Sequence, residues 1–238
     1  VNEDEYGQAF IQDLEKANIA YKGVIKQNDL PTGCCNILVS PDGERTMATH
    51  IGIGSQLHPD ELTEDSLQGI DHIYMESYLW DHDLTKQTLK KVGKIAKTMN
   101  IETSLSLSDP FCVDRHRDEL KEFIEEYVDL VFCNFDEAKM FAQSETMADV
   151  SAFFQSFGKK IAMTASAEGA YFIHGNTVAH QPAQKIEQVI DTTGAGDNFA
   201  AGFLDQYLSD KPIDEALAQG NARAGEVIQQ LGPRIKRH

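Results

Sequence analysis

The residues best able to do chemistry stand together in the stretch Val189 to Phe203, VIDTTGAGDNFAAGF. An apolar segment, read as a strand, runs into Asp191-Thr192-Thr193. Gly194-Ala195-Gly196 follows, and Asp197 stands at the head of a helix. Two glycines flanking one alanine allow positive φ and bring backbone amides close to a ligand. The helix behind them directs unpaired N–H groups and the positive end of its dipole at the same point, an arrangement suited to phosphate. A carboxylate there is expected to stay ionised, ready to take a proton from an attacking hydroxyl. Asp is also an ordinary N-cap residue. The joint pattern of strand, DTTGAGD and a helix rich in small residues is what argues for an anion site.

Other candidates are less specific on their own. Asn134 ends an apolar run (Asp129 to Cys133) and Glu137 follows three residues later, which by itself reads as a capping box with Asn in place of Ser or Thr. Thr164 ends the short strand from Ile161, and Gly169 closes the turn after it. Asn221 lies in the last helix, where a buried amide needs a ligand or a capping contact. Asp191 reads first as a turn cap, and Arg45, just past the turn Pro41-Asp42-Gly43, is as consistent with a solvated arginine as with a ligand contact. Three decoys are set aside. His116-Arg117-Asp118 lacks the asparagine five residues on and falls in an amphipathic helix. Gly52-Ile53-Gly54 lacks a third glycine, and no GxxxxGK[ST] occurs.

The DTTGAGD helix start resembles the C-terminal signature of the ribokinase-like (PfkB) family of sugar and nucleoside kinases. The resemblance implies Asp197 as catalytic base, and the Gly194, Ala195 and Gly196 amides as an anion hole. It makes Asn134 and Glu137 the Asn-x-x-Glu pair that organises Mg²⁺ and phosphate waters, Glu137 acting through water. Thr164 and Gly169 match the nucleotide contacts, with Ser166 standing where relatives carry glycine. Asn221 matches the residue bordering adenine, and Arg45 a basic lid residue near phosphate. Asp191 lies where some relatives hold a monovalent cation such as K⁺. The implied fold is α/β, a three-layer α/β/α sandwich with a mainly parallel central sheet and a small β lid at residues 21–51. Relatives carry a segment with a substrate-binding Asp and a Gly-Gly motif ahead of the helix echoed in Asp4-Glu5-Tyr6-Gly7. Residues 1–238 are therefore expected to form a single domain, incomplete at its N-terminus. Leu107 to Phe111, Asn134 to Phe141 and Ser209 to Pro212 look most like adenosine kinases. The implied reaction is transfer of the ATP γ-phosphoryl group to a primary hydroxyl of a nucleoside, adenosine first. The alternatives are a ribose or fructose kinase, or a nucleotide-binding module that is inactive as this fragment.

The elements that must position these residues follow from periodicity. Asn2, with Glu5 three residues on, reads as a helix cap above Phe10, Leu14 and Ala17. Residues 35–39 and 46–51 read as a hairpin. From Pro59 a helix, the strand Ile70 to Tyr78, a helix from Asp83, the strand Ile101 to Leu107 and a helix after Asp114 alternate. Further strands are expected up to Asn134, at 161–164, 170–174, 177–180 and 188–191, and a last helix from Pro212 to Leu231. This rhythm implies a parallel sheet covered on both faces, with ligands at the C-terminal strand ends. Glu76, Tyr78 and Asp109 fall on that rim and read as strand-end caps. The 238 residues and 41% hydrophobic content support one sizeable core. A net charge of -17 argues against nucleic acid and anionic membranes as partners; a small nucleoside or sugar is the partner that the resemblance implies. No run reaches membrane-span length. The four cysteines lack metal-ligand spacing and read as apolar fillers in a reducing cytoplasm. The lid hairpin is compatible with a monomer or with a homodimer paired through it.

Overall fold

A computed structural model describes residues 1–41, 43 and 45–235. It divides into two compact units: 1–38, 46–71 and 79–101 form the first, and 39–45, 72–78 and 102 onward the second.

In the first unit, α1 (Glu5–Lys16) is capped by Asp4, not by Asn2. The Asp4 carboxylate accepts from Gly7 N at 2.8 Å and from Thr32 N at 2.7 Å. Asn2 has donors as well as an acceptor, and it uses them to strap the carbonyls of Asn28 and Leu30, each at 2.9 Å. Phe10 of the expected apolar stripe stays exposed, edge-on to Tyr21. Strands β1 (Cys34–Val39) and β2 (Arg45–His50) form the two-stranded hairpin, largely open to solvent; Asp42 of its turn lies outside the described residues. Cys34 and Cys35 are consequently exposed thiols, and the filler expectation holds only for the buried Cys112 and Cys133. The helix expected at Pro59 is a single 3-10 turn. Lys91 Nζ donates to the Pro59 carbonyl at 2.7 Å, which also accepts from Leu62 N at 3.3 Å, and Thr88 Oγ1 donates to the Leu57 carbonyl at 2.8 Å. Helix α2 (Asp83–Met99) buries Thr85, Thr88, Leu89, Val92, Ile95 and Ala96, and Asn100 ends it in the left-handed conformation.

The second unit holds a six-stranded sheet in sequential order: β3 (His72–Glu76), β4 (Glu102–Ser106), β5 (Leu130–Asn134), β6 (Lys160–Thr164), β7 (Ala170–His174) and β8 (Thr177–Gln181). The first four are parallel and the last two join antiparallel. Central strands are buried along nearly their whole length, as a sheet covered on both faces requires. Leu130, Phe132, Ala162, Ala170 and Phe172 pack with Phe199 and Phe203 of α6 (Ala195–Tyr207) and with Ala216 and Leu217 of α7 (Ile213–Val227). These helices approach closely, since a Cβ on Gly202 would stand 2.7 Å from the Gln219 carbonyl oxygen. The remaining helices are α3 (Pro110–Tyr127), α4 (Phe135–Ala142) and α5 (Met147–Phe157), the last two lying against β5 to β7. Helix α3 begins ahead of the expected start after Asp114 because Asp109 caps it, accepting from Cys112 N at 2.8 Å, with Pro110 in the first turn. No strand forms at 188–191. The Ile190 and Asp191 amides donate instead to the Ile228 carbonyl just past α7, at 2.8 and 3.3 Å.

The N-terminal strand ends are tied by a polar cluster. Glu102 accepts from Tyr207 Oη at 2.7 Å and from Lys160 Nζ at 3.1 Å. His72 Nε2 meets Ser104 Oγ at 2.8 Å, while its buried Nδ1 has no hydrogen-bond partner and lies 4.0 Å from Glu102. Burial lowers the His72 pKa, and the Lys160 charge adds to this. Glu102 and Asp129 oppose it and lose. The unfolded chain then binds the extra proton, so this residue's contribution to stability is complete above its ordinary pKa of about 6.5 and is lost as pH falls through that value. His72→Gln is expected to flatten the decline of unfolding free energy between pH 7.5 and 5.5, by up to ~1.4 kcal/mol per pH unit. Chemical denaturation at several pH values checks this, and parallel slopes for the two proteins would refute it.

Candidate active site

The parallel pairing sets the site. Glu76 is level with Ser106, and Asn134 with Thr164, so the C-terminal ends of β3 to β6 share one rim. Gly194, with φ 77, turns the chain into α6. A Cβ there would meet Pro233 at 2.7 Å, so both its conformation and its surroundings demand glycine. Ala195 N donates to the Thr192 carbonyl at 3.2 Å, and Asn198 N to that of Gly194 at 2.9 Å. Among the described residues, no backbone hydrogen bond engages the amides of Gly194, Gly196 or Asp197. Of the three amides expected to bind an anion, that of Ala195 is thus already spent within the turn.

Asp197 is the third residue of the helix, not its cap. Its side chain reaches solvent, yet the surrounding protein desolvates it enough to raise its pKa above the ordinary value. The shift is opposite in direction to the one expected of a carboxylate at a helix N-terminus, and its cause is desolvation. The result suits a proton acceptor, because basicity rises with pKa. Its charge acts on Glu76, Tyr74 and Tyr78, all at the exit of β3.

Asn134 and Glu137 form a complete capping box. Glu137 N donates to Asn134 Oδ1 at 2.9 Å, while Asn134 N and Nδ2 donate to the two Glu137 oxygens at 2.9 and 2.7 Å. Glu137 is buried, and its pKa rises to about 7 because burial and the nearby carboxylates of Asp109, Glu76 and Asp136 outweigh the Asn134 bond. Thr164 ends β6 beside Asn134. Gly169, with φ 102, closes the next turn, where a Cβ would stand 2.1 Å from the Gln181 carbonyl oxygen. Asn221 Nδ2 donates to that carbonyl at 2.9 Å and to that of Pro182 at 3.3 Å, so Gly169 and Asn221 meet on one bend.

Asp191 is buried and accepts from Thr193 N at 2.8 Å, Thr193 Oγ1 at 2.6 Å and Gly232 N at 2.8 Å. Burial would raise its pKa, but these bonds and the Arg45 charge prevail and lower it. Arg45 itself donates to Thr192 Oγ1, which also reaches the Gly43 carbonyl at 3.4 Å. Among the described residues no group of three or more His, Cys, Asp or Glu is arranged to hold a metal, and no helix is long and apolar enough to cross a membrane.

The profile of the pfkB family carbohydrate kinases matches residues 1–237. The chain belongs to that family. The adenosine kinase of Sinorhizobium meliloti shares its fold at a TM-score of 0.95 and 36% identity, over 98% of this chain and 72% of that one. Adenosine kinase 2 of Arabidopsis thaliana is 25% identical over 250 residues, covering 98% of this chain and 71% of the plant protein. A protein described as a ribokinase II from E. coli, solved with ATP and Mg²⁺, has the same fold at 20% identity and a TM-score of 0.88, covering 98% of this chain and 76% of its own. This pfkB kinase is an ATP-dependent phosphotransferase acting on a hydroxyl of a nucleoside or sugar, with the ribokinase-like α/β fold that its signature implied.

The geometry of the kinase adds Tyr74, and with it Glu76 and Tyr78, which sequence reading left as strand-end caps. Tyr74, Glu76 and Tyr78 follow one another at every second position from β3 outward. Ser108 Oγ donates to Glu76 Oε2 at 2.8 Å, and Tyr78 Oη to the Ser108 carbonyl at 3.1 Å. A period-two run of polar and aromatic residues leaving a parallel strand was the available signal. The rejected His116-Arg117-Asp118 is confirmed as structural: Arg117 lies inside α3 and its Nε donates to the Phe141 carbonyl at 2.7 Å.

The two signature glycines have separable tasks. Gly194→Ala forces a left-handed alanine against Pro233 and should cost at least about 1–2 kcal/mol. Gly196 has φ in the ordinary region and open space where a Cβ would stand, so Gly196→Ala should change stability by less than about 0.5 kcal/mol. Thermal melts of the two variants check this, and equal losses would contradict it.

Proposed function

We propose that this kinase transfers the γ-phosphoryl group of ATP to the primary hydroxyl of a nucleoside, adenosine ahead of ribose or fructose. The observation that carries the reading is the start of α6, where unspent amides stand beside a carboxylate of raised pKa. In this reading the Gly194, Gly196 and Asp197 amides receive charge on the moving phosphoryl group, with Ala195 shaping the turn between them. Asp197 takes the hydroxyl proton. Such catalysis consists mainly of positioning and electrostatic stabilisation. Thr164, Gly169 and Asn221 line the nucleotide side, the last two by shaping the bend at Gln181 and Pro182. Arg45, held at the signature loop by Thr192, is placed to meet a phosphate. Preference for a nucleoside rests on the resemblance to adenosine kinases.

On this rim Glu137, held by Asn134, offers the hard oxygen donors that Mg²⁺ prefers. Both Glu137 oxygens are engaged by Asn134, so Glu137 would reach the ion through water. When bound, the ion neutralises phosphate charge. Asp191 already accepts from three donors, and we assign it to capping the signature loop in preference to holding K⁺. The free thiols support a reducing, cytoplasmic setting. The open hairpin allows either a monomer or a dimer paired through β1 and β2.

ADP release from ATP and Mg²⁺ with adenosine, ribose and fructose separately decides the acceptor. Turnover with ribose or fructose alone would replace the nucleoside reading. ATP binding without turnover would reduce these residues to a nucleotide-binding module. Asp197→Asn is expected to lower kcat by at least about 10²-fold while leaving ATP affinity within about threefold, or ~0.6 kcal/mol. Unchanged turnover would remove Asp197 from the mechanism.

A further inference from the structure

Ser108 stands between the last residue of β4 and the cap of α3 with φ 64, a region that only glycine enters without strain. Asn100 and Gln143 share that conformation because each ends a helix. Ser108 ends a strand, so helix termination does not account for it. What the conformation supplies is the placement of its polar atoms. Ser108 Oγ accepts from Ser77 N at 3.0 Å and donates to Glu76 Oε2 at 2.8 Å, with the Ser106 carbonyl a longer alternative at 3.2 Å. The Ser108 carbonyl accepts from Tyr78 Oη at 3.1 Å. One strained residue therefore grips three consecutive residues leaving β3. Ser77 Oγ reinforces the grip by donating to the Leu107 carbonyl at 2.7 Å.

Glu76 and Tyr78 both lie within the electrostatic reach of Asp197. Tyr78 is 47% exposed although its hydroxyl is tied down, so its ring is the part left to meet a ligand. We infer that Ser108 is a positioning residue for the phosphoryl acceptor, holding Glu76 and Tyr78 as a fixed wall beside Asp197. The wall joins a carboxylate, which accepts from hydroxyls, to an aromatic face. Its occupant is a hydroxylated ring carrying a flat apolar group, the chemistry of a nucleoside. The inference rests on the kinase reading and refines its acceptor side.

Ser108→Gly separates this role from a merely structural one. Glycine relieves the backbone strain, so the melting temperature should stay level or rise. The KM for adenosine should rise about tenfold or more, while the KM for ATP stays within about twofold. Ser108→Ala keeps the strain and loses the hydroxyl; it should share the KM defect with a lower melting temperature. An unchanged adenosine KM in Ser108→Gly, or equal losses for ATP and adenosine, would overturn the assignment and leave the kinase reading intact. A wild-type protein that neither turns over nor binds adenosine by calorimetry would overturn both.

Discussion

Four strands running the same way carry the consequences of this structure. A parallel ladder places all C-terminal strand ends on one edge, and its register here aligns Glu76 with Ser106 and Asn134 with Thr164. Every strand exit then delivers a polar group to the same rim, and the helix that follows points its N-terminus there. Asp109 caps α3 and Asn134 caps α4, while Gly194 opens α6 with no side-chain cap at all. The caps of α3 and α4 each engage a first-turn amide, that of Cys112 and that of Glu137, whereas no side chain caps the start of α6.

The rim also concentrates negative charge. Glu76, Asp109, Glu137 and Asp197 influence one another or the same tyrosines, and burial raises the pKa of three of them, Glu76, Glu137 and Asp197. The Asn134 bonds and the Ser108 and Tyr74 hydroxyls counter part of this by favouring the ionised forms. Such crowding is costly in an empty site and is relieved by cationic partners. It fits a kinase whose nucleotide arrives with a divalent ion, and it explains why the chain's strongly acidic balance does not exclude a phosphate ligand. The basic contribution is local: Arg45 sits on Thr192 and lowers the pKa of Asp191, one residue ahead of it in the signature.

Much of the fold was legible because its causes are local. The apolar stripe of α2, the buried runs of β5 and β6 and the glycine corner at 194–196 each announce their conformation within a few residues. The misreadings share a different origin. Asn2 yielded the cap to Asp4 because its amide found the carbonyls of residues 28 and 30. The strand at 188–191 was forestalled by the carbonyl of Ile228. In each case a distant partner claimed a backbone group that local pattern had assigned elsewhere, and no window of neighbouring residues contains that competitor.

The same division runs through the site. By itself the sequence determined the glycine corner at 194–196, the Asn134 to Glu137 box and the kinase family, because these depend on residue types at fixed short spacing. Only the tertiary structure decided that the Ala195 amide is spent, that desolvation raises the Asp197 pKa, and that Asp191 accepts from Thr193 and Gly232. It alone joined Ser108 to Glu76 across two strands. Register, burial and hydrogen-bond competition are properties of the folded neighbourhood, set by segments many residues apart, and so they appear only once the chain has closed upon itself.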